Sequence, residues 1–242
     1  MIKPDLDNSS RDVNSSCDVR ENNNVEYICV LDFEATCESY RGYDHEIIEF
    51  PSVLLRFDPK VGQYIEISRF DEFCRPRVNP TVSKFCFELT GITQEQVNHG
   101  RPFPEVLQMH IQWLRKHIEY TETEGIKHFD PEYPEGKVII LTCGSWDLGT
   151  VMLSECKKWE RMIPPRIYRR FIDVKKHFTD FYKTRSMGMA GMLKYAKIPL
   201  VGRHHSGIDD SVNIASIVQK MVSDGYEFND VCCIEVSSKC YL

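Results

Sequence analysis

Two carboxylates separated by one residue, Asp32 and Glu34, interrupt the apolar and β-branched run Tyr27-Ile-Cys-Val-Leu-Asp-Phe-Glu-Ala-Thr36. Such a run is expected to form a buried strand. Residues two apart on a strand point to the same face, so the two acids would stand together with Phe33 turned the other way. Carboxylates side by side repel unless something positive lies between them. A divalent cation held by oxygen ligands removes the conflict, and a pair of such ions is how phosphoryl-transfer chemistry stabilises the attacking and the leaving oxygen together.

An acid pair on a strand is also common as plain surface charge, and further acids separate the two readings. Asp147 follows the strand-like run Val138-Ile-Ile-Leu-Thr142 through Cys143-Gly-Ser-Trp146, where Gly144 and Ser145 break the strand and Asp147 opens a helical pattern. A carboxylate at the carboxyl end of a strand is a frequent α/β site position. In His205-Ser-Gly-Ile-Asp-Asp210, Gly207 breaks the chain before apolar residues recur at helical spacing as far as Met221. Asp209 and Asp210 fall where a helix dipole favours acids, which accounts for an acid there without any site but leaves His205 unexplained.

Hydrolysis of a phosphodiester needs an in-line water, neutralisation of the phosphoryl charge and a route for the water's proton. Asp32, Glu34, Asp147 and Asp210 supply oxygens for two Mg²⁺ ions, with Mn²⁺ able to substitute. His205 is then left as the proton acceptor, since its unperturbed pKa lies near neutrality and Ser206-Gly207 gives the ring room to swing. The competing reading of His205 is a solvated loop histidine or a phosphate contact.

Asp32-x-Glu34, a distant Asp147, and His205 five residues before Asp210 together resemble the DEDDh group of 3′-to-5′ exonucleases. The fit is closest to the branch containing the histone-mRNA 3′-end exonuclease and the enhanced-RNA-interference nucleases. It runs through Leu31-Asp-Phe-Glu-Ala-Thr-Cys-Glu38, His45-Glu-Ile-Ile-Glu-Phe-Pro51, Phe85-Cys86, Leu89-Thr-Gly-Ile-Thr93 and Gly144-Ser-Trp-Asp147, over about residues 25–224. The sister group with a tyrosine in the last motif would carry it where Ser206 stands, which assigns the histidine subtype.

The resemblance implies an α/β fold of the ribonuclease-H-like kind, a mixed sheet with an antiparallel meander plus parallel strands, flanked by helices. It implies an enzyme that removes nucleotides from single-stranded RNA 3′ ends or overhangs of small RNA, ribosomal RNA or histone mRNA, with structured RNA or DNA as further substrates. In the resembled proteins the positions of Phe85 and Trp146 sandwich the terminal base, and the backbone at Ala35 and Thr36 meets the terminal 3′ hydroxyl. By residue type alone, Phe85, Phe87 and Trp146 serve equally as core. By the same pattern His204 stands at the wrong position for the base, and His45 supports the fold. Cys143, where the human-type sequence has an acid, and the lack of a SAP-type nucleic-acid-binding module before the nuclease residues are departures that bear on stem-loop specificity. Two other readings stay open: an exonuclease acting on DNA by the same chemistry, and an idle RNA-binding module.

Elements to position these groups are legible. Strands are expected near 25–34, 46–57 and 63–74, with turn signals at Asp58-Pro59 and Val61-Gly62. Thr93-Gln-Glu-Gln96 has the form of a capping box, and Phe103 to Ile118 repeats apolar residues at helical spacing. Residues 120–137 are polar and read as a surface loop. Helices are expected after 146, 164, 187 and 208, with a short strand near Phe171-Ile-Asp-Val174 and strand character in Val231-Cys-Cys-Ile-Glu-Val236.

With 242 residues and 42% hydrophobic content the chain suffices for one sizeable core, assigned to 25–224. Residues 1–24 are expected to be a disordered polar tail, and 225–242 a C-terminal extension. Ten cysteines include several inside core-like runs, which fits a reducing intracellular location, in cytoplasm, nucleus or nucleolus, and no apolar stretch approaches membrane-spanning length. A net charge of −6 is unusual for a nucleic-acid partner, but Lys157 to Arg185 holds ten Lys or Arg against three acids. That stretch is either a phosphate-tracking surface, with Lys183 and Arg185 as backbone contacts, or a solvated face.

Overall fold

In the computed structural model, which describes residues 25–122, 125–128, 130–132, 137–229 and 234–241, the apolar runs become one seven-stranded sheet with helices on both faces. At its centre β1 (Tyr27–Leu31) lies antiparallel to β3 (Ile47–Asp58) and parallel to β7 (Val138–Thr142). β3 pairs in turn with β4 (Gln63–Phe73), which completes the expected meander. On the other side β7 runs parallel to β8 (Arg170–Asp173), and β9 (Ile234–Glu235) closes that edge antiparallel. The two-residue β2 (Glu34–Ala35) pairs with the start of β3.

β1 and β7 are buried at every position, as strands covered on both faces must be. Tyr27, Cys29 and Leu31 face a layer built with α3 (Phe103–His117) and α4 (Met152–Lys158). Ile28 and Val30 face α5 (Val174–Tyr182), α6 (Met189–Ala196) and α7 (Gly207–Ser223). A smaller cluster joins Ile48 to Cys86 of α1 (Lys84–Thr90) and Val97 of α2 (Gln94–His99), whose N-terminus carries the capping box at Thr93. Among the described residues no helix is long and apolar enough to cross a membrane.

Several expectations need correction. The polar stretch 120–137 is not all loop, because β5 (Glu119–Glu122) and β6 (Gly125–His128) pair as an antiparallel hairpin; four residues on each side satisfy one another's backbone groups, which a polar composition does not reveal. Pro164-Pro165 is followed by one 3-10 turn, Arg166–Arg169, before β8, and the next true helix is α5, capped by the Asp173 side chain on Lys175 N–H. The tail expected over 1–24 and the residues 231–233 of the expected last strand lie outside the described residues.

The strand expected over 25–34 stops at Leu31. The register that pairs Leu31 with Ser52 and Glu34 with Glu49 puts Pro51 opposite Asp32. Phe57 N–H donates to the Glu26 carbonyl at 2.8 Å, and the antiparallel alternation counted from that pair makes Asp32 and Pro51 partners that should exchange bonds. Proline has no N–H to give, so the ladder lapses at this point. Into the gap comes the start of α7: a Cβ on Gly207 would lie 2.7 Å from Pro51 Cγ and 2.8 Å from the Asp32 carbonyl oxygen. Gly207→Ala is accordingly expected to cost about 1–3 kcal/mol by overpacking, with a fall in melting temperature of roughly 2–4 °C per kcal/mol that calorimetry would read; an unchanged melting temperature would refute the close-approach account.

Candidate active site

Four acids reach the carboxyl end of the central strands from four separate elements. Asp32 stands just past β1 and keeps an edge toward solvent, Glu34 is buried on β2, Asp147 is buried at the first residue of a π-turn (Asp147–Val151) leading into α4, and Asp210 is buried in the first turn of α7. Carboxylate oxygens of Asp32, Glu34 and Asp210 all lie within 4.8 Å of one another. Asp147 joins them through its charge on Asp32 and through the Phe33 N–H, which donates to Asp147 Oδ1 at 2.9 Å. Odd-numbered residues of β1 face β7, as the Tyr27 N–H on the Lys137 carbonyl shows, so the Phe33 N–H meets the acid that follows β7.

Loss of water raises every one of these acids, and repulsion from the other acids of the cluster adds to it at Asp32 and Glu34. Asp32 is pushed well above the usual carboxylate range, first by burial, then by Asp147, Glu34 and Asp210. Glu34 rises to about 8, by burial and then Glu49 and Asp210. Asp147 rises to about 7 by burial, held back by the Phe33 N–H. Asp210 rises by burial, held back by the His205 N–H, which donates to Asp210 Oδ2 at 2.9 Å. Its other oxygen, Oδ1, is buried without a hydrogen-bond partner among the described residues. An orphaned buried carboxylate oxygen among raised acids fits an oxygen-ligated divalent cation.

His205 is half-buried, and its backbone sits in the left-handed region at φ 65°. Burial, His204 and Arg203 lower its pKa, so the ring is neutral at neutral pH and able to accept a proton. The rings of His204 and His205 stack at 3.9 Å, and His204 Nε2 lies 3.9 Å from Asp210 Oδ2. The structure therefore brings both histidines to Asp210, not His205 alone.

Trp146 and Phe85 are each 40% exposed, so both stand at the surface and not in the core; Phe87 is exposed as well. Ala35 and Thr36 are buried. The Cys86 thiol reaches the Ala35 carbonyl at 3.7 Å from α1, the helix that carries Phe85. His45 Nδ1 bonds the Thr36 carbonyl at 2.8 Å, and its ring meets Trp146 edge-on at 5.8 Å. His45 thus has the supporting role expected of it. Gly144, at φ 104°, makes the turn that leaves Trp146 outside.

The basic stretch does not form one surface. Lys158 is held by Asp44 and the His45 carbonyl, both at 2.7 Å, Arg166 faces Glu235 at 3.7 Å and Arg169 faces Glu132 at 3.5 Å. Lys183 and Arg185 are exposed at and beyond the end of α5, and no contact joins them to the four acids among the described residues.

Glu49 is the residue that sequence reasoning missed. It is buried on β3 and accepts the Gly207 and Ile208 N–H groups, both at 3.2 Å, so it caps the helix that carries Asp210. Burial and the adjoining Asp71 raise its pKa. An acid within Ile47-Ile-Glu-Phe-Pro-Ser-Val-Leu-Leu55 was the available signal, of the same kind as Asp32 and Glu34.

Comparison with known proteins agrees with this geometry. Residues 29–218 match the Exonuclease family model, RNase_T. The chain is 40% identical over 207 residues to the mouse (Mus musculus) 3′-5′ exoribonuclease 1, covering 84% of this chain and 54% of that one. It resembles the structure of the nuclease domain of 3′hExo, a DEDDh family member bound to rAMP, with a TM-score of 0.72, 34% identity, and 87% and 100% of the two chains covered. A structure of a 3′-exonuclease in 3′-end specific recognition of a histone mRNA stem-loop aligns with a TM-score of 0.72 and 33% identity, over 89% and 92% of the chains. The chain spans about half the length of the first curated relative, 54%.

The raised acids fix a pH response. In the folded, metal-free protein they hold protons that the unfolded chain releases, so this part of the stability is present below the ordinary carboxylate range and is lost as pH rises toward about 8, the value for Glu34. Metal-free protein is expected to melt several degrees lower at pH 8 than at pH 6, at roughly 2–4 °C per kcal/mol. Divalent metal should bind more tightly at the higher pH, release protons and reverse the order. Thermal scans in EDTA and in metal at the two pH values check this, and a metal-free melting temperature that climbs with pH would contradict it.

Proposed function

Because the chain belongs to the exonuclease family, in its metal-dependent DEDDh group, we propose that it is a 3′-to-5′ exoribonuclease that shortens single-stranded RNA ends or overhangs. The observation that carries this reading is the convergence of Asp32, Glu34, Asp147 and Asp210 beside His205, each from a different element. RNA as substrate is carried over from the relatives' names, with small RNA, ribosomal RNA and histone mRNA ends as candidates.

Two Mg²⁺ ions held by the four acids, with Mn²⁺ able to substitute, would neutralise the charge that builds on the attacking and leaving oxygens. Asp147 and Asp210 are pre-set for that load by the Phe33 and His205 N–H groups, and Asp32 and Glu34 feel the repulsion that the ions would relieve. Neutral His205 takes the proton of the attacking water. Its backbone is tied to Asp210 while its ring stays on a loop, so the base is anchored at the cluster yet free to turn toward a bound phosphate. Trp146 and Phe85 are both exposed, and each has a neighbour, His45 or Cys86, bonded to the buried Ala35-Thr36 segment, which supports a terminal base stacked on these two rings with its hydroxyls at that backbone. Lys183 and Arg185 are left as distal contacts for the strand's phosphates.

Asp32→Asn is expected to abolish turnover and weaken metal binding, whereas His205→Ala should lose about 10²–10⁴-fold in rate and keep its affinity for metal. Trp146→Ala should weaken end binding by about 1–3 kcal/mol with the fold retained. A time course on 5′-labelled single-stranded RNA and matched DNA, with metal or EDTA, reads all of these. A metal-dependent ladder from the 3′ end of RNA, absent in Asp32→Asn, supports the proposal; equal ladders on DNA would widen the substrate class, and binding without any ladder would leave an idle module.

A further inference from the structure

His204 has no part in the chemistry above, yet it lies against the catalytic cluster. Its ring stacks on His205 at 3.9 Å, its Nε2 is 3.9 Å from Asp210 Oδ2, and ligating atoms of His204, His205 and Asp210 all fall within 4.8 Å of one another. Among the described residues neither imidazole is occupied by a hydrogen bond, and Asp210 Oδ1 is buried and unpartnered. The cluster therefore has free donors of two kinds, imidazole nitrogen and carboxylate oxygen.

We propose that His204, His205 and Asp210 form a second metal site, selective for a zinc-class transition ion, whose occupation inhibits the enzyme. Two imidazoles and one carboxylate with an open position are a zinc donor set, whereas the all-oxygen group of Asp32, Glu34 and Asp210 suits magnesium or manganese. Zinc bonds of about 2.0–2.2 Å separate tetrahedral ligands by roughly 3.4 Å, so an ion draws the three groups closer and turns the rings out of their present stack, 22° between planes, until their in-plane lone pairs converge. Asp210 belongs to both groups. An ion captured by the histidines takes Asp210 from the carboxylate group and takes the lone pair with which His205 accepts its proton. One binding event thus removes a metal ligand and the base together. The inhibition rests on the exonuclease reading; the binding does not.

His204 is exposed, with 42% of its side-chain surface open, so His204→Gln is compatible with the fold. The first measurement is the visible ligand-field absorbance of Co²⁺ titrated into the full chain in excess Mg²⁺, with no RNA present. Wild type and Asp32→Asn should both develop a tetrahedral band, and His204→Gln should need at least about tenfold more Co²⁺, the scale that even an outer-shell change has. The second is Mg²⁺-dependent RNA shortening against rising Zn²⁺, each protein compared with its own zinc-free rate, in which His204→Gln requires at least about tenfold more zinc for half inhibition. Identical Co²⁺ curves for wild type and His204→Gln would overturn the site. Equal sensitivity of both proteins to Zn²⁺ would overturn the inhibition, placing zinc's effect at the carboxylates. A chain with no nuclease activity at all but a His204-dependent Co²⁺ band would sink the exonuclease reading and leave the metal site standing.

Discussion

Repulsion among buried carboxylates is the constraint around which this corner of the molecule is arranged. Asp32, Glu34, Asp147 and Asp210 meet where little water can screen them, and Glu49 lies within their field. Left to themselves they would take up protons or move apart. The fold prevents the second by fixing them with backbone donors: Phe33 N–H on Asp147, His205 N–H on Asp210, and the first N–H groups of α7 on Glu49. Phe33 stands between Asp32 and Glu34, and His205 is itself the histidine of the site. The bonds that position Asp147 and Asp210 therefore also locate the residues next to them.

That arrangement depends on one lapse in regular structure. Pro51 withholds the N–H that Asp32's carbonyl would accept, and the break lets α7 approach closely enough for Asp210 to join Asp32 and Glu34. Gly207 is the residue that the approach demands, because any side chain there would enter Pro51 and the Asp32 carbonyl. Proline in a covered strand and glycine at the opening of a helix both weaken the local element. Here the two weaknesses face each other and make one junction.

The fold was legible because its strands are apolar runs with no competing periodicity, and α3 repeats cleanly at helical spacing. The five candidate positions were legible because acids inside or just after apolar strands, and a histidine before a helix start, lack a structural reason to be there, although Asp210 at that helix start has one. Glu49 met the same description and was passed over, since its work is on backbone N–H groups 158 residues away, which no local pattern records. The hairpin in the polar insert hid for a related reason: its pairing is backbone to backbone. The basic stretch was open to two readings. Lys158, Arg166 and Arg169 are close in sequence, but each turns to an acid from elsewhere in the chain, so a run of charge did not become a field.

Arg203 ties the gripping side of the site to its chemical side. Its guanidinium donates to the Glu88 and Leu89 carbonyls, both at 3.0 Å, at the C-terminal end of the helix that presents Phe85. Its own N–H is held by Asp209 Oδ2 at 2.8 Å, two residues from His205. A cation at a helix C-terminus is favoured by the dipole and satisfies carbonyls that the helix leaves unpaired. The space for it exists because the helix ends at Gly91, where a Cβ would fall on the Arg203 guanidinium. The helix that holds one face of the base and the loop that holds the base catalyst are thus joined through one side chain. Displacement of the helix that presents Phe85 is thereby felt at the loop that carries His205, and the reverse.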